Sequence, residues 1–492
     1  MNSFDIEFRQ RVSKIPFHGL GLSVDVYSPD VFDLTEQLEE QALSYGYLEM
    51  FKADQLALQE VRHRNPSTYL EYHADGLWVT QPDWEISYRY HDELTIAMNH
   101  LRQLGCSWLN HECATKQIAG HSFGTYLPPV FSEASAHVTA VNVRSAQRLF
   151  DKRFEDHALP SPLFLLETPP LTFFAIGEVS YADFFRFLAE ACSCGFVLDI
   201  GHIWTVYRYT GAWQGSSIED FLEGLLRAFP LERVVQVHIA GLGFHPAVLR
   251  QDQRHRCPPN WLDSHDSPIP DVLFRMLNQV LAHPRLINVR GVALEVDTKA
   301  ISCIIQEFRR LGEQCTAWEQ EQRRKLADAI DHDPVSREVS IAEAPRHFPQ
   351  DPQLEIQYRH YVEMLTQCTS DSTFPQTNLL STVDPTGLNV YRQDYLPYEI
   401  FEWGGKFQEM FPATMQALAS LGGGCEGLFC FWYSHPHSFS EPYDFFLVKV
   451  HYFVEFIRVE YPECLTLAVQ EAADLRDGYV LACQARSSQN RP

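Results

Sequence analysis

Eight short apolar runs alternate with amphipathic stretches along residues 19–312. The runs are rich in β-branched and aromatic residues and are bounded by breakers, as expected for strands that are buried on both faces. They lie at 19–24, 46–51, 68–78, 106–113, 162–167, 195–202, 233–240 and 289–296. Strands that alternate with helices eight times are typical of a parallel (β/α)8 barrel, the TIM barrel.

The amphipathic stretches between these runs have helical spacing, and several end in glycine, which helix C-termini favour. The clearest of them cover 33–46, 92–105, 134–150, 181–195, 218–230, 270–283 and 299–312. In a TIM barrel the functional groups lie at the C-terminal ends of the strands. Potential ligands should therefore be sought at the ends of the eight runs.

Nine potential metal ligands do follow those ends: His73, His111, Glu167, Asp199, His202, His238, Asp263, His265 and Glu295. Any one of them alone would more often be a satisfied core histidine or a paired carboxylate. Nine at one rim would be costly to bury together without cations, so we expect two or three divalent ions. Nitrogen and oxygen ligands without thiolate favour iron, manganese or zinc.

The chain carries 64 acidic against 39 basic residues, a formal net charge of −25. This balance repels phosphate backbones and anionic membranes, so we expect neither nucleic acid nor a membrane as a partner. The N-terminus lacks the apolar core of a signal peptide, and no apolar run reaches transmembrane length. With 12 cysteines that lack CxxC pairs, we predict a cytoplasmic protein with reduced thiols.

A length of 492 residues exceeds that of a usual single domain. We predict a barrel domain over 1–315 and a charged linker over 316–350, which begins as a helical exit. In residues 351–492 the apolar residues mostly recur at helical spacing, and this pattern predicts an α-rich domain.

Five motifs resemble those of the multinuclear non-haem iron-dependent oxidative enzymes, formerly domain-of-unknown-function family 692, which includes the iron oxidase of methanobactin biosynthesis. They are GLGLS at 19–23, YLEMF at 47–51, VHIAG at 237–241, DSHDSPIPD at 263–271 and LEVD at 294–297. The resemblance covers about residues 15–310 and implies a TIM barrel of the xylose-isomerase-like type. Asn110 stands where that family has an acid, His202 where it has asparagine, and Thr168 where it has asparagine.

By this resemblance, iron ions and dioxygen would act on a residue, often cysteine, of a ribosomally made precursor peptide. His73, His111 and Glu167 would hold one ion, and Glu167 would bridge to a second ion. The second site would add Asp199, His238 and Glu295, and the third would consist of His202, Asp263 and His265. His238, Glu295 and Asp297 are the candidate catalytic residues, while Glu49, His245 and again Asp297 are candidates for supporting the ligands.

Residues 391–395, 411–412, 436–438 and 462–465 resemble, in their order, motifs of the separate partner protein that presents the peptide to these enzymes. The resemblance implies that enzyme and recruiting domain are fused in one chain. A helical appendage that packs its own aromatic residues is the alternative.

Two other functions fit the ligand pattern. The ligand succession is also similar to that of endonuclease IV, a trinuclear zinc phosphodiesterase, although the acidic balance and the lack of Lys/Arg-rich loops weigh against DNA binding. A sugar isomerase of the xylose-isomerase type, or a metal-binding scaffold without catalysis, is the third possibility.

Overall fold

The computed structural model describes residues 2–84, 88–157, 159–247, 258–332, 352–366, 385–425, 427–434 and 444–489. Within these ranges the strands are β1 (Gly19–Val24), β2 (Tyr47–Phe51), β3 (Tyr69–His73), β4 (Trp108–Glu112), β5 (Thr115–Ile118), β6 (His121–Leu127), β7 (Leu163–Glu167), β8 (Gly195–Asp199), β9 (Val234–Ile239), β10 (Leu242–Phe244), β11 (Trp261–Asp263) and β12 (Gly291–Glu295). Eight of these strands close into a parallel barrel in the spatial order β1-β12-β9-β8-β7-β4-β3-β2. The barrel prediction is confirmed.

Helices cover the outside of the barrel and make up the C-terminal region, as predicted. They are α1 (Ser3–Val12), α2 (Val31–Glu40), α3 (Gln55–Arg64), α4 (Tyr88–Leu104), α5 (Glu133–Glu155), α6 (Tyr181–Ala191), α7 (Ile200–Tyr209), α8 (Ile218–Ala228), α9 (Asp271–Leu281), α10 (Ile301–His332), α11 (Pro352–Thr366), α12 (Pro385–Val390), α13 (Leu396–Phe401), α14 (Phe407–Met410), α15 (Pro412–Ser420), α16 (Leu428–Ser434), α17 (Phe445–Glu460) and α18 (Leu465–Gln489). Where the structure describes them, none of these helices is both long and apolar enough to cross a membrane.

The N-terminal helix closes one end of the barrel. Phe8 and Val12 of α1, with Ile15 after it, are buried against Tyr47 and Trp108 inside the barrel. This plug lies at the end where the strands begin. The opposite end, at the C-termini of the strands, is left for a functional site.

Several boundaries differ from the prediction. The run at 195–202 is strand only to Asp199, because the Asp199 carboxylate accepts a hydrogen bond from the backbone N–H of His202 at 2.7 Å and caps α7. Thus His202 lies in the first turn of a helix. The run at 68–78 is strand only to His73, and the hairpins β5–β6 and β10–β11 were not predicted.

The predicted linker at 316–350 falls partly within a helix. Helix α10 continues to His332 and crosses the proposed boundary at residue 315. The remainder of that linker, 333–350, lies outside the described residues.

The C-terminal helices pack on the site end of the barrel. Their aromatic residues share one apolar cluster with the β5–β6 hairpin and the loop that follows β7. The Trp432 indole N–H donates to the carbonyl of Ser122 at 2.7 Å, and the Tyr361 hydroxyl donates to the carbonyl of Pro128 at 3.0 Å. A β-carbon on Gly387 would lie 1.8 Å from the carbonyl oxygen of Phe173, so the two backbones pack as closely as only glycine permits.

Candidate metal centre

Most of the predicted ligands meet at the rim where the parallel strands end. His73, Glu167, Asp199 and Glu295 are the last residues of β3, β7, β8 and β12, and His238 lies one residue before the end of β9. All five are buried. Because parallel strands end on the same side of the barrel, residues distant in sequence come together here.

Four of these side chains surround one point. Ligand atoms of Glu167, Asp199, His238 and Glu295 all lie within 4.8 Å of one another. The Nδ1 of His238 is 3.3 Å from Oε1 of Glu167 and 3.3 Å from Oε1 of Glu295, yet it has no hydrogen-bond partner among the described residues. Two ligands bound about 2.1 Å from one ion in tetrahedral geometry lie about 3.4 Å apart. The group could therefore hold a metal ion.

A second group extends from Glu295 toward the β10–β11 hairpin. Oδ2 of Asp263 is 3.5 Å from Nε2 of His202 and 3.2 Å from Nε2 of His265. The same His265 nitrogen is 3.4 Å from Oε2 of Glu295. The structure brings His202, Asp263 and His265 together, and these spacings are again compatible with ligands around a cation.

On the opposite side Glu167 faces His73. Oε2 of Glu167 is 3.4 Å from Nε2 of His73 and accepts a 2.5 Å hydrogen bond from the side-chain amide of Asn110. Asn110, noted in the sequence only as a departure, therefore fixes the orientation of the central carboxylate.

The structure does not bring His111 into this group. Its Nδ1 is 2.7 Å from the carbonyl of Glu112, and its Nε2 accepts the backbone N–H of Trp78 at 3.3 Å. The carboxylate of Glu112 lies on the His73 side instead, with Oε1 3.8 Å from Nε2 of His73. Side chains alternate between the two faces of a strand. Asn110 and Glu112 therefore point toward the rim, and His111 between them points to the opposite face.

Glu49, a candidate for supporting the ligands, lies beside His238. Its Oε1 is 3.0 Å from Nε2 of His238, and it also accepts hydrogen bonds from Ser23 and from the Trp108 indole. Burial raises the pKa of Glu49, but His238 outweighs that effect, so the pKa is lowered and the carboxylate stays ionised. Glu49 thus places a negative charge beside Nε2 of His238, while Nδ1 of the same ring faces Glu167 and Glu295.

Replacing Glu49 by glutamine should lower the affinity of the chain for a divalent metal ion about 10- to 100-fold, because partners that orient a ligating histidine typically contribute that much. Competition with a chelator measures this affinity. The matched control is Glu60→Gln, which changes a partly exposed glutamate paired with Arg64 on α3. Equal affinities for the Glu49 and Glu60 variants would contradict the role of Glu49.

The other two supporting candidates lie in different surroundings. Asp297 Oδ2 is 3.0 Å from Nδ1 of His265 and orients that ring. His245 instead lies against the C-terminal helices, with ring centroids 4.7 Å from Tyr395 and 4.8 Å from Tyr398, and with Nε2 4.0 Å from Glu399. His245 therefore forms part of the contact between the barrel and the helical region.

The centre is strongly negative. Burial lowers the pKa of His73, but Glu112 and Glu167 outweigh it and raise that pKa to about 10. Likewise Asp199 and Asp263 overcome the effect of burial and raise the pKa of His202 to about 10. Burial raises the pKa of Asp199 to about 7. The raised pKa values of His73 and His202 show that the carboxylates of the centre stabilise positive charge. Bound metal ions could supply that positive charge instead.

Unpaired buried oxygens lead to the same conclusion. Oδ2 of Asp199, Oδ1 of Asp263, and Oε2 of Glu295 and of Glu112 have no hydrogen-bond partner within the described part of the chain. Leaving buried carboxylate oxygens unpaired is costly. The donor set, imidazole and carboxylate without thiolate, suits iron, manganese or zinc.

The centre opens into a cavity of about 1210 Å³ that both parts of the chain line. The barrel contributes His73, Glu167 and Asp263 together with Lys52 and Lys116. The helical region contributes Tyr395, which belongs to the motif at 391–395, and five residues outside the sequence motifs, namely Tyr398, Trp403, Asp444, Leu447 and Tyr479.

The fold and the site define a TIM-barrel protein with a buried histidine and carboxylate centre that could bind metal. Residues 47–314 match the model of the family described as RiPP precursor modification enzyme MbnB/TglH/ChrH, where RiPP denotes a ribosomally synthesised and post-translationally modified peptide. Since the match covers more than half of the 492 residues, the chain belongs to this family. The resemblance seen in the sequence motifs is confirmed.

Curated relatives match parts of the barrel. A UPF0276 protein of Paraburkholderia phytofirmans is 25% identical over 193 residues, 39% of this chain and 52% of the relative. A UPF0276 protein of Rhizobium meliloti is 25% identical over 160 residues, 32% of this chain and 44% of the relative. The chain thus spans about half the length of these relatives.

Solved structures with a similar barrel include endonuclease IV from Thermus thermophilus, with a TM-score of 0.37 and 18% identity over 61% of this chain and 99% of that one. A sugar phosphate isomerase/epimerase from Parabacteroides distasonis has a TM-score of 0.36 and 13% identity over 62% of this chain and 96% of that one.

Proposed function

We propose that this chain is an iron- and dioxygen-dependent oxidase that modifies a residue, most simply a cysteine, of a ribosomally made precursor peptide. The observation that carries the proposal is a buried centre of imidazoles and carboxylates that opens into a cavity of about 1210 Å³. That volume exceeds the roughly 300–1,000 Å³ of small-molecule pockets. Membership of a family of peptide-modifying enzymes supports a peptide as the occupant.

Two or three ions would be held by overlapping sets of ligands. His73 and Glu167 contribute to the first set, and Glu167, Asp199, His238 and Glu295 form the second. The third consists of His202, Asp263 and His265, with Glu295 shared. Glu167 has one oxygen near His73 and the other near His238. Glu295 likewise has one oxygen near His238 and the other near His265. Each carboxylate could therefore belong to two neighbouring sets.

Iron, when bound, supplies a Lewis acid for a thiolate and an electron-transfer partner for dioxygen. The chain's own residues prepare the ligands. Asn110 donates a hydrogen bond to Glu167, Glu49 lies 3.0 Å from Nε2 of His238, and Asp297 lies 3.0 Å from Nδ1 of His265. Fixed ligands require little rearrangement when the substrate arrives.

The helical region is proposed to recruit the peptide. It provides aromatic and acidic side chains to the cavity wall, among them Tyr398, Trp403 and Asp444. These groups offer stacking and hydrogen-bonding surfaces for a peptide close to the centre. Fusion in one chain keeps the recruiting surface at high effective concentration beside the barrel.

The test is oxygen-dependent peptide modification. The full chain, loaded anaerobically with Fe(II), is mixed with synthetic cysteine-bearing peptides translated from any short open reading frames beside its gene and then exposed to dioxygen. We expect oxygen uptake together with a change in peptide mass equal to a gain or loss of hydrogens, oxygen or carbon units.

The controls are the same peptide with serine in place of cysteine and the zinc-loaded protein, and neither should react. Equal reaction of the serine peptide would contradict cysteine as the target. A zinc-loaded protein that hydrolyses phosphodiesters, with no oxygen uptake by the iron-loaded form, would replace the proposal with the endonuclease-like alternative.

A further inference from the structure

Strand β4 ends in three consecutive polar residues, Asn110, His111 and Glu112, and only two of them face the rim. In the pairing of β4 with β7, Glu112 is opposite Glu167 and His111 is opposite Leu166. Paired residues on neighbouring parallel strands point to the same face of the sheet. Glu112 therefore points with Glu167 toward the centre, and His111 points with Leu166 into the apolar layer.

The surroundings of the two side chains agree with this register. His111 is fully buried, and the backbone groups of Glu112 and Trp78 occupy both of its ring nitrogens. Glu112 is only 7% exposed and lines the cavity, and its Oε2 has no hydrogen-bond partner among the described residues. His73 nearby also has an unpartnered Nδ1.

The neighbouring carboxylate of Asp75 provides a contrast. It lines the same cavity, but one oxygen accepts from the Tyr126 hydroxyl at 3.1 Å and the other lies 3.2 Å from the Lys116 ammonium. Both Asp75 oxygens are thus satisfied. Glu112 is buried beside it with an oxygen left over, as expected of a ligand rather than of an ion-pair partner.

We propose that Glu112, and not His111, completes the outermost cation site of this chain together with His73 and Glu167. Nε2 of His73 is 3.4 Å from Oε2 of Glu167 and 3.8 Å from Oε1 of Glu112. These distances suit three ligands around one cation. The inference rests on the proposed metal-dependent function and specifies one of its sites.

The ligand set has a chemical consequence. One imidazole with two carboxylates is a more anionic and harder set than two imidazoles with one carboxylate. Hard oxygen ligands favour iron and manganese relative to zinc and stabilise the higher charge of a ferric ion. The site should therefore discriminate against zinc more strongly than a site with histidine at position 112.

Counting bound ions tests the assignment. The full chain and its variants are loaded with Fe(II) under anaerobic conditions, desalted, and analysed by elemental mass spectrometry. Glu112→Gln, which keeps the side-chain shape, should hold one ion fewer per chain than the unchanged protein. His111→Gln should hold the unchanged number. Glu112→His should regain the lost ion and bind zinc at least several-fold better in competition with Fe(II).

Thermal melting of the metal-free proteins establishes that each variant is folded. If His111→Gln fails to fold, the two Glu112 variants still decide the question. A full set of ions in Glu112→Gln, or the loss of an ion from folded His111→Gln, would overturn the inference. If the unchanged protein binds zinc or manganese but no iron, the proposed oxidase function fails, and the same count made with the metal that binds still decides the role of Glu112.

Discussion

Replacing Glu167 by alanine should remove two ions and reduce peptide modification by at least about 10³-fold, equivalent to roughly 4 kcal/mol of transition-state stabilisation. The two carboxylate oxygens of Glu167 lie toward different histidines. Its Oε2 lies 3.4 Å from Nε2 of His73, and its Oε1 lies 3.3 Å from Nδ1 of His238. Without this bridging carboxylate, two ligand sets each lose an anionic oxygen, and Asn110 loses its acceptor.

The matched control is Glu93→Gln, which changes a buried glutamate paired with Lys52 outside the ligand sets. That variant should keep its metal content and activity. The measurements are metal content, peptide mass change and thermal melting of the metal-free form. A folded Glu167→Ala protein with unchanged ion content would refute the bridging role.

Replacing Trp432 by alanine should lower the free energy of unfolding by about 3–5 kcal/mol, the usual range for a large buried aromatic residue. Trp432 is completely buried, with its ring centroid 5.2 Å from that of Tyr452 and 6.0 Å from that of Phe445. Its indole N–H satisfies the carbonyl of Ser122 in β6. The substitution creates a cavity and leaves that carbonyl without its donor, at the contact between the helices and the barrel.

Denaturant unfolding followed by tryptophan fluorescence and circular dichroism measures the effect. Leu421→Ala is the control, because Leu421 is 54% exposed and should change stability by less than about 0.5 kcal/mol. The metal content of Trp432→Ala should stay unchanged while peptide modification falls, since the ligands come from the barrel and the cavity wall comes partly from the helices. Equal stabilities of the two variants would refute the packing account.

The barrel was predictable because each strand carries its own signal. Runs such as 234–239 are continuous apolar stretches, and a side chain able to bind metal at the end of such a run already implies a rim of ligands. The positions of His238 and Glu295 near the ends of their strands follow from this rule, whereas the grouping of the ligands into sets was implied by the family resemblance.

The structure differs from the prediction where the local sequence pattern could not determine which way a side chain faces or where a strand ends. Asn110, His111 and Glu112 are all polar, so β4 ends without the alternation that separates its two faces, and only the pairing with β7 assigns them. For His202, the capping contact from Asp199 converts an apparent strand end into a helix start.

The share of the cavity wall that comes from the C-terminal region could not be predicted from local sequence. Tyr395 reaches the cavity through tertiary packing against Thr125 and Phe173, which lie more than 200 residues earlier in the chain, and Tyr479 lines the same cavity. Their helical spacing indicates that they lie in helices and gives no indication of what those helices cover. The same limit applies to His245, whose ring contacts with Tyr395 and Tyr398 join the two regions.

The most direct test of the central claim is anomalous diffraction at the iron absorption edge from crystals of the full chain loaded with Fe(II). We predict two or three anomalous peaks within the barrel rim, one of them surrounded by Glu167, Asp199, His238 and Glu295. The absence of any iron peak from the space between these four side chains would contradict the account.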